Sequence, residues 1–188
     1  MEDSEEQLRT LCDLSDEDLR IIDSCKSNSR HIELLSVRAL LKAVGIHQTI
    51  HYNNRSPYLD EGYISISHSS DIAAIIYSPD HPVAIDIEHI DPRIQIVAKR
   101  MFSDEELAAA NGDIEKLTIL WNCKECVFKL AQDDGIDFRK MINIQFAEHS
   151  RNEELIEATL TKSGKIREFS LFATKIEENT VVWGREKG

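Results

Sequence analysis

The chain has 188 residues, and its 22 Lys and Arg against 34 Asp and Glu give a formal net charge of −12. Hydrophobic residues make up 41% and charged residues 30%, the balance of an ordinary folded chain rather than a disordered one. The negative charge excludes a general nucleic-acid-binding surface, no apolar run approaches the roughly 20 residues that span a bilayer, and the start Met1-Glu2-Asp3-Ser4-Glu5-Glu6 lacks the basic-then-apolar pattern of a secretion signal.

A cytoplasmic location is therefore expected, with Cys12, Cys25, Cys123 and Cys126 reduced. There is no low-complexity tract and no repeat. Residues 1–45 read as helical: Leu8, Leu11, Leu14, Leu19 and Ile22 recur at helix-like spacings. The clearest helix of this half runs from Ser29 to Leu41, with Ile32, Leu35 and Ala39 on one stripe and Gly45 as its stop. Positions 47–62 are too irregular to assign. Ile64-Ser65-Ile66-Ser67-His68 then alternates with period 2, Ile72 to Tyr77 is a short apolar run closed by the turn Ser78-Pro79-Asp80-His81, and Val83 to Glu88 is a third strand. Three strands with short links suggest an antiparallel meander.

Beyond Asp91 the helix period returns. Ser103 and Glu106 form a capping box, and a long helix at about 113–132 carries Leu117, Leu120, Trp121, Val127 and Phe128. From about 142 to 184 the pattern alternates again, through Ile142, Ile144, Phe146, Ala158, Leu160, Phe169, Leu171, Val181 and Trp183. Helices, strands, helices and strands in that order predict an α+β fold, as two similar lobes, 1–90 and 91–188.

Asp86 and Glu88 stand two apart on a predicted strand, so they share a face while Ile85 and Ile87 point into the core. Read alone, the pair fits either a solvated strand edge or a site for a hard divalent cation such as Mg²⁺ or Mn²⁺. On the long helix Trp121, Glu125 and Lys129 share one stripe, with Lys124 and Phe128 beside it. An acid and lysines among large apolar side chains need partners, such as a metal and a phosphate; the plainer reading is a surface Glu–Lys pair. Cys123 and Cys126 form a lone CxxC inside a helix, without the further ligands of a zinc site, and read as packing residues. His68 among Ser67 and Ser69, and Arg30 and Arg38 two turns apart on a helix, fit either structural roles or phosphate recognition.

Taken in order, Ile66-Ser67-His68-Ser69, Val83-Ala84-Ile85-Asp86-Ile87-Glu88, Lys99-Arg100-Met101-Phe102-Ser103 with Glu106, and Trp121-x-x-Lys124-Glu125-x-x-x-Lys129 resemble the 4′-phosphopantetheinyl transferase superfamily. The resemblance covers most of residues 30–146. Length, and His68 upstream of the acidic strand, look like the longer type, similar to the surfactin-synthetase activator, in which two lobes join as a pseudo-dimer in one chain and a monomer is expected. It implies transfer of the 4′-phosphopantetheine arm of coenzyme A to a serine of an acyl or peptidyl carrier protein, with release of adenosine 3′,5′-bisphosphate. By the same resemblance Asp86, Glu88 and Glu125 match metal-binding acids, Glu125 also the general base, and Lys129 the lysine at the pyrophosphate. His68, Ser67, Arg38, Lys124 and Arg30 match positions that bind coenzyme A.

Three features depart from the family pattern. Ala84 stands where Gly is usual, Arg55-Ser56-Pro57 replaces a Gly-Lys-Pro motif, and the chain starts almost at a helix where a strand is expected. An acidic carrier would need a local basic patch, for which Arg93, Lys99, Arg100, Arg139 and Lys140 are the candidates; the plainer reading of these residues is scattered solubilising charge. One rival reading, a metal-dependent nuclease or phosphatase, lacks the Glu-x-Lys strand pattern: His89 and Ile90 follow Glu88. The other is a non-catalytic module of the same fold that binds coenzyme A or a carrier, for which the intact set Asp86, Glu88, Glu125 and Lys129 would be unnecessary.

Overall fold

The computed structural model describes residues 4–53, 56–70, 72–149 and 154–188. Arg55, in the degenerate Gly-Lys-Pro region, lies outside the described residues. The chain opens with α1 (Glu5–Leu11) and α2 (Asp16–Ser24), each started by a capping box: Ser4 with Gln7, and Ser15 with Asp18. The long α3 (Asn28–Ala43) follows. It ends where Gly45 takes φ +79°, a conformation that costs a residue without Cβ little, and Ile46 N–H turns back onto Leu41 O. Leu8, Ile22, Leu34 and Leu35 knit these three helices into a small core.

The stretch 47–62, which carries no periodicity, holds two short paired strands, β1 (His51–Asn53) and β2 (Ser56–Tyr58). The antiparallel hairpin β3 (Tyr63–His68) and β4 (Ala73–Ser78) lays Ile64 against Val37 and Leu41 of α3. Next come β5 (Ala84–His89), α4 (Ile94–Met101), α5 (Asp104–Ala110) and α6 (Ile114–Ala131). As expected, Ser103 and Glu106 cap α5 reciprocally. Asp113 starts α6 by accepting Lys116 N–H, and Gln132 ends it in the left-handed conformation. The chain closes with α7 (Phe138–Met141) and four strands, β6 (Ile142–His149), β7 (Glu154–Lys162), β8 (Lys165–Ile176) and β9 (Asn179–Glu186).

The fold is α+β, with sheets packed on helices. Five strands form one antiparallel sheet in the order β5-β9-β8-β7-β6. Helix α6 lies across it, burying Leu120, Cys123 and Val127 against Ile156, Leu171 and Val182. Cys126 is also buried, its thiol donating to Val182 O at 3.3 Å, so both thiols of the CxxC pack inside the core. Among the described residues no helix is long and apolar enough to cross a membrane.

The meander expected of β3, β4 and β5 is overturned at its last link. The backbone partner of β5 is β9, and β3 rather than β4 lies along its other edge. There the hydroxyls of Ser65 and Ser67 accept the N–H groups of Ile85 and Ile87, each at 3.2 Å. Serine side chains thus satisfy an edge that a neighbouring backbone would otherwise cover. This arrangement joins β5 to strands from beyond residue 141, so the sheet draws on both sides of the boundary expected at residue 90.

Candidate active site

On β5 the two faces have different work. Ile85 and Ile87 pack with Val181 beside Ile76 of β4. Ala84, Asp86 and Glu88 face α6, where Ala84 belongs to the main core and the two acids meet polar groups of the helix. Asp86 is only 5% exposed. Its Oδ1 accepts from Lys129 Nζ at 2.8 Å and from Ser67 Oγ at 2.9 Å; its Oδ2 is buried without a hydrogen-bond partner. Burial is the main cause that raises the Asp86 pKa, opposed by the charge and hydrogen bond of Lys129.

Lys129 also donates to Ile85 O at 2.8 Å and to Ile66 O at 3.4 Å. Its three protons are thus spread over β3, β5 and Asp86, and the long bond to Ile66 is the weakest of the three. Glu88 is half-buried, and Trp121 Nε1 donates to its Oε1 at 3.3 Å. Burial, then the charge of Asp86, push the Glu88 pKa up. One turn before Lys129 on α6, Glu125 has its pKa raised to about 7, first by burial and then by Asp86, with Lys129 opposing and Glu88 adding. Asn122 fixes the helix to this edge of the sheet, donating to Asp86 O at 3.2 Å and to Thr180 O at 3.0 Å.

Three carboxylates therefore feel one another across β5 and α6, with a single lysine among them. Like charges at partly buried positions are costly, and a hard divalent cation offsets that cost. Asp86 Oδ2, buried and unbonded, is the atom such an ion would complete. The donor set suits Mg²⁺ or Mn²⁺, although among the described residues no three His, Cys, Asp or Glu side chains stand as a ready-made metal cage. A groove of about 270 Å³ opens at Glu88 and Trp121, bounded by Arg93 and Val97. A larger cavity, about 640 Å³, lies elsewhere, between the turn at Val44 to Gln48 and β4, and none of the acids lines it.

The model of the 4′-phosphopantetheinyl transferase superfamily matches residues 82–180, just over half of the chain. The chain belongs to the 4′-phosphopantetheinyl transferase superfamily. The match spans β5 and α6, and so all four of Asp86, Glu88, Glu125 and Lys129. It supports a transferase acting on phosphopantetheine; the superfamily in general uses coenzyme A and a divalent metal. No curated protein matches the chain.

The other residues singled out by resemblance to this superfamily fall into two groups. His68 is half-buried at the end of β3, its Nε2 bonded to Glu33 O at 3.3 Å. Burial lowers its pKa, and Arg30 and Lys129 act on it in the same direction, so these three cationic or ionisable groups share one neighbourhood. Arg30 is exposed and paired with Glu33 at 2.6 Å. Arg38 and Lys124 are committed inside the protein. Arg38 Nε bonds Asp18 at 2.6 Å, with both side chains 4% exposed. Lys124, 0% exposed, pairs with Glu106 at 2.8 Å and donates to Phe138 O at 2.7 Å and Ile142 O at 2.9 Å. Glu106 in turn accepts Ser103 N–H and Ile144 N–H. Both cations hold elements together here. Asn122 and the partnership of Glu106 with Lys124 have no short-range signal in the sequence: their partners are 36 or more and 18 residues away.

Proposed function

We propose that this chain transfers 4′-phosphopantetheine from coenzyme A to a serine of an apo acyl or peptidyl carrier protein, releasing adenosine 3′,5′-bisphosphate. The observation that carries this reading is the buried Asp86 carboxylate, tied by Lys129 at one oxygen and bare at the other, with Glu88 and Glu125 within electrostatic reach. Asp86, Glu88 and Glu125 would hold a divalent cation, Mg²⁺ with Mn²⁺ as a substitute, which supplies positive charge to the pyrophosphate of coenzyme A.

Glu125, one turn before Lys129 on α6, is the carboxylate that serves as the base in this reading. It accepts the proton of the carrier serine as the serine oxygen bonds to the phosphorus that bears the pantetheine arm. The phosphorus–oxygen bond to the adenosine bisphosphate then breaks, and Lys129, releasing its long bond to Ile66 O, faces the charge that develops on the leaving phosphate. His68 and Arg30, which the resemblance matches to coenzyme A contacts, would take the remaining phosphates of coenzyme A.

The surfactin-synthetase-activator-like type, with two lobes in one monomeric chain, is the form this reading adopts. Its support is the chain length and the position of His68 upstream of β5. The carrier would approach over the groove at Glu88, whose rim carries the exposed Arg93, paired with Asp91 at 2.7 Å.

The test is the intact mass of fatty-acid, polyketide and peptide apo-carriers incubated with the chain, coenzyme A and Mg²⁺. The reading requires that at least one carrier gain the mass of the phosphopantetheine arm and that EDTA abolish the gain. Coenzyme A binding with no gain on any carrier would favour a non-catalytic module.

A further inference from the structure

The two oxygens of the Asp86 carboxylate are treated differently. Oδ1 takes two hydrogen bonds, from Ser67 Oγ at 2.9 Å and Lys129 Nζ at 2.8 Å, whereas Oδ2 takes none. The Ser67 hydroxyl has one proton to give. Its oxygen accepts the N–H of Ile87 at 3.2 Å, which turns the proton toward Asp86. Ser67 is 8% exposed and engaged on both sides. Two residues earlier Ser65 makes the same backbone bond, to Ile85 N–H at 3.2 Å, on the same face of β3. No hydrogen bond joins Ser65 to Asp86.

We propose that Ser67 is a positioning residue for Asp86: its hydroxyl fixes the carboxylate so that Oδ2 is presented bare to a divalent cation. This rests on the metal-dependent transferase reading above and differs from the coenzyme A contact that the resemblance implies for Ser67. Two donors on one oxygen hold the carboxylate against rotation about its last bond. The serine does so without positive charge, so it steadies the acid without repelling the incoming ion. Donors of this kind, behind a metal ligand, typically change metal affinity or activity by about ten- to a hundredfold.

The experiment measures Mn²⁺ binding alone, by the free-Mn²⁺ electron paramagnetic resonance signal, on the EDTA-stripped full chain without coenzyme A. Ser67→Ala, shown to be folded by circular dichroism, is expected to weaken Mn²⁺ binding by about tenfold or more. Ser67→Thr, which keeps the hydroxyl, is expected to restore it. Ser65→Ala, which removes an equivalent backbone acceptor but no bond to the carboxylate, is expected to stay near the affinity of the unaltered chain. Equal Mn²⁺ affinity for Ser67→Ala and the unaltered chain would overturn the inference alone, as would an equal loss in Ser65→Ala, which would mark general loosening of the β3–β5 contact. No Mn²⁺ binding by the unaltered chain would overturn the metal-dependent reading and this inference with it.

Discussion

At Glu125 the fold holds a carboxyl group at a pKa of about 7, against an ordinary value of 4.5. Between those values the folded chain keeps a proton that the unfolded chain has lost, so stability falls as pH rises from 4.5 to about 7 and the penalty is complete above that. Glutamine at this position carries no charge and removes the penalty. In the metal-free chain Glu125→Gln is expected to be more stable at about pH 8 by about 1–2 kcal/mol, with solvent screening at the exposed edge allowed for. The gain should vanish near pH 4, and thermal unfolding followed by circular dichroism at the two pH values checks it. A loss of stability at the higher pH would mean that the Glu125 carboxylate makes a favourable contact in the folded state.

Buried ion pairs join elements of this fold at two places, Arg38 with Asp18 and Lys124 with Glu106. Lys124 of α6 joins α5, α7 and β6 through Glu106, Phe138 O and Ile142 O, and its pKa is lowered, chiefly by burial. Lys124→Met keeps most of the volume but leaves Glu106 buried without its counter-charge, an expected loss of about 3 kcal/mol. The double change Lys124→Met with Glu106→Gln should recover most of it, read from denaturant midpoints. A phosphate-binding Lys124 would behave differently, weakening coenzyme A binding in the single variant with unfolding unchanged.

A second connection is pH-sensitive. His31 of α3 bonds Glu5 of α1 at 3.2 Å and Cys25 O at 2.9 Å. These acceptors, Cys25 O first, raise the His31 pKa above 6.5. The tether is therefore fully present below 6.5 and is lost as pH rises through the higher, folded-state value. Hydrogen exchange in α1, corrected for the intrinsic rate, should show more frequent opening at about pH 8.5 than at about pH 6, and His31→Gln should flatten the difference. An α1 equally protected at both pH values would contradict this.

In the whole molecule, the parts legible in the sequence are those written in short periods. The stripe on Ser29 to Leu41, the capping box at Ser103 and Glu106, and the alternation at Ile64 to His68 and Ala84 to Glu88 all became the expected elements, because each is specified within a few residues. Strand pairing was not legible. Period 2 says which face a residue takes but not which strand lies alongside, so the β5–β9 pairing and the serine contacts from β3 had no local signature. The strands β1 and β2 are three residues each, too short to show a period. At the site, Asp86, Glu88, Glu125 and Lys129 could be named from spacing and resemblance, and the fold sets them on facing elements. Arg38 and Lys124 carry the same charge in the sequence as a phosphate-binding residue would. Their partners Asp18 and Glu106, 20 and 18 residues away, have no local signature in the sequence.

The central claim is that transfer takes place where Lys129 of α6 meets Asp86 of β5. The most direct measurement is the intact mass of an apo-carrier that the unaltered chain modifies, after incubation with Lys129→Ala, coenzyme A and Mg²⁺, with the folding of the variant checked by circular dichroism. The folded variant is expected to leave the carrier at its apo mass over the time in which the unaltered chain converts it fully. Full conversion at an unchanged rate by the folded variant would contradict it.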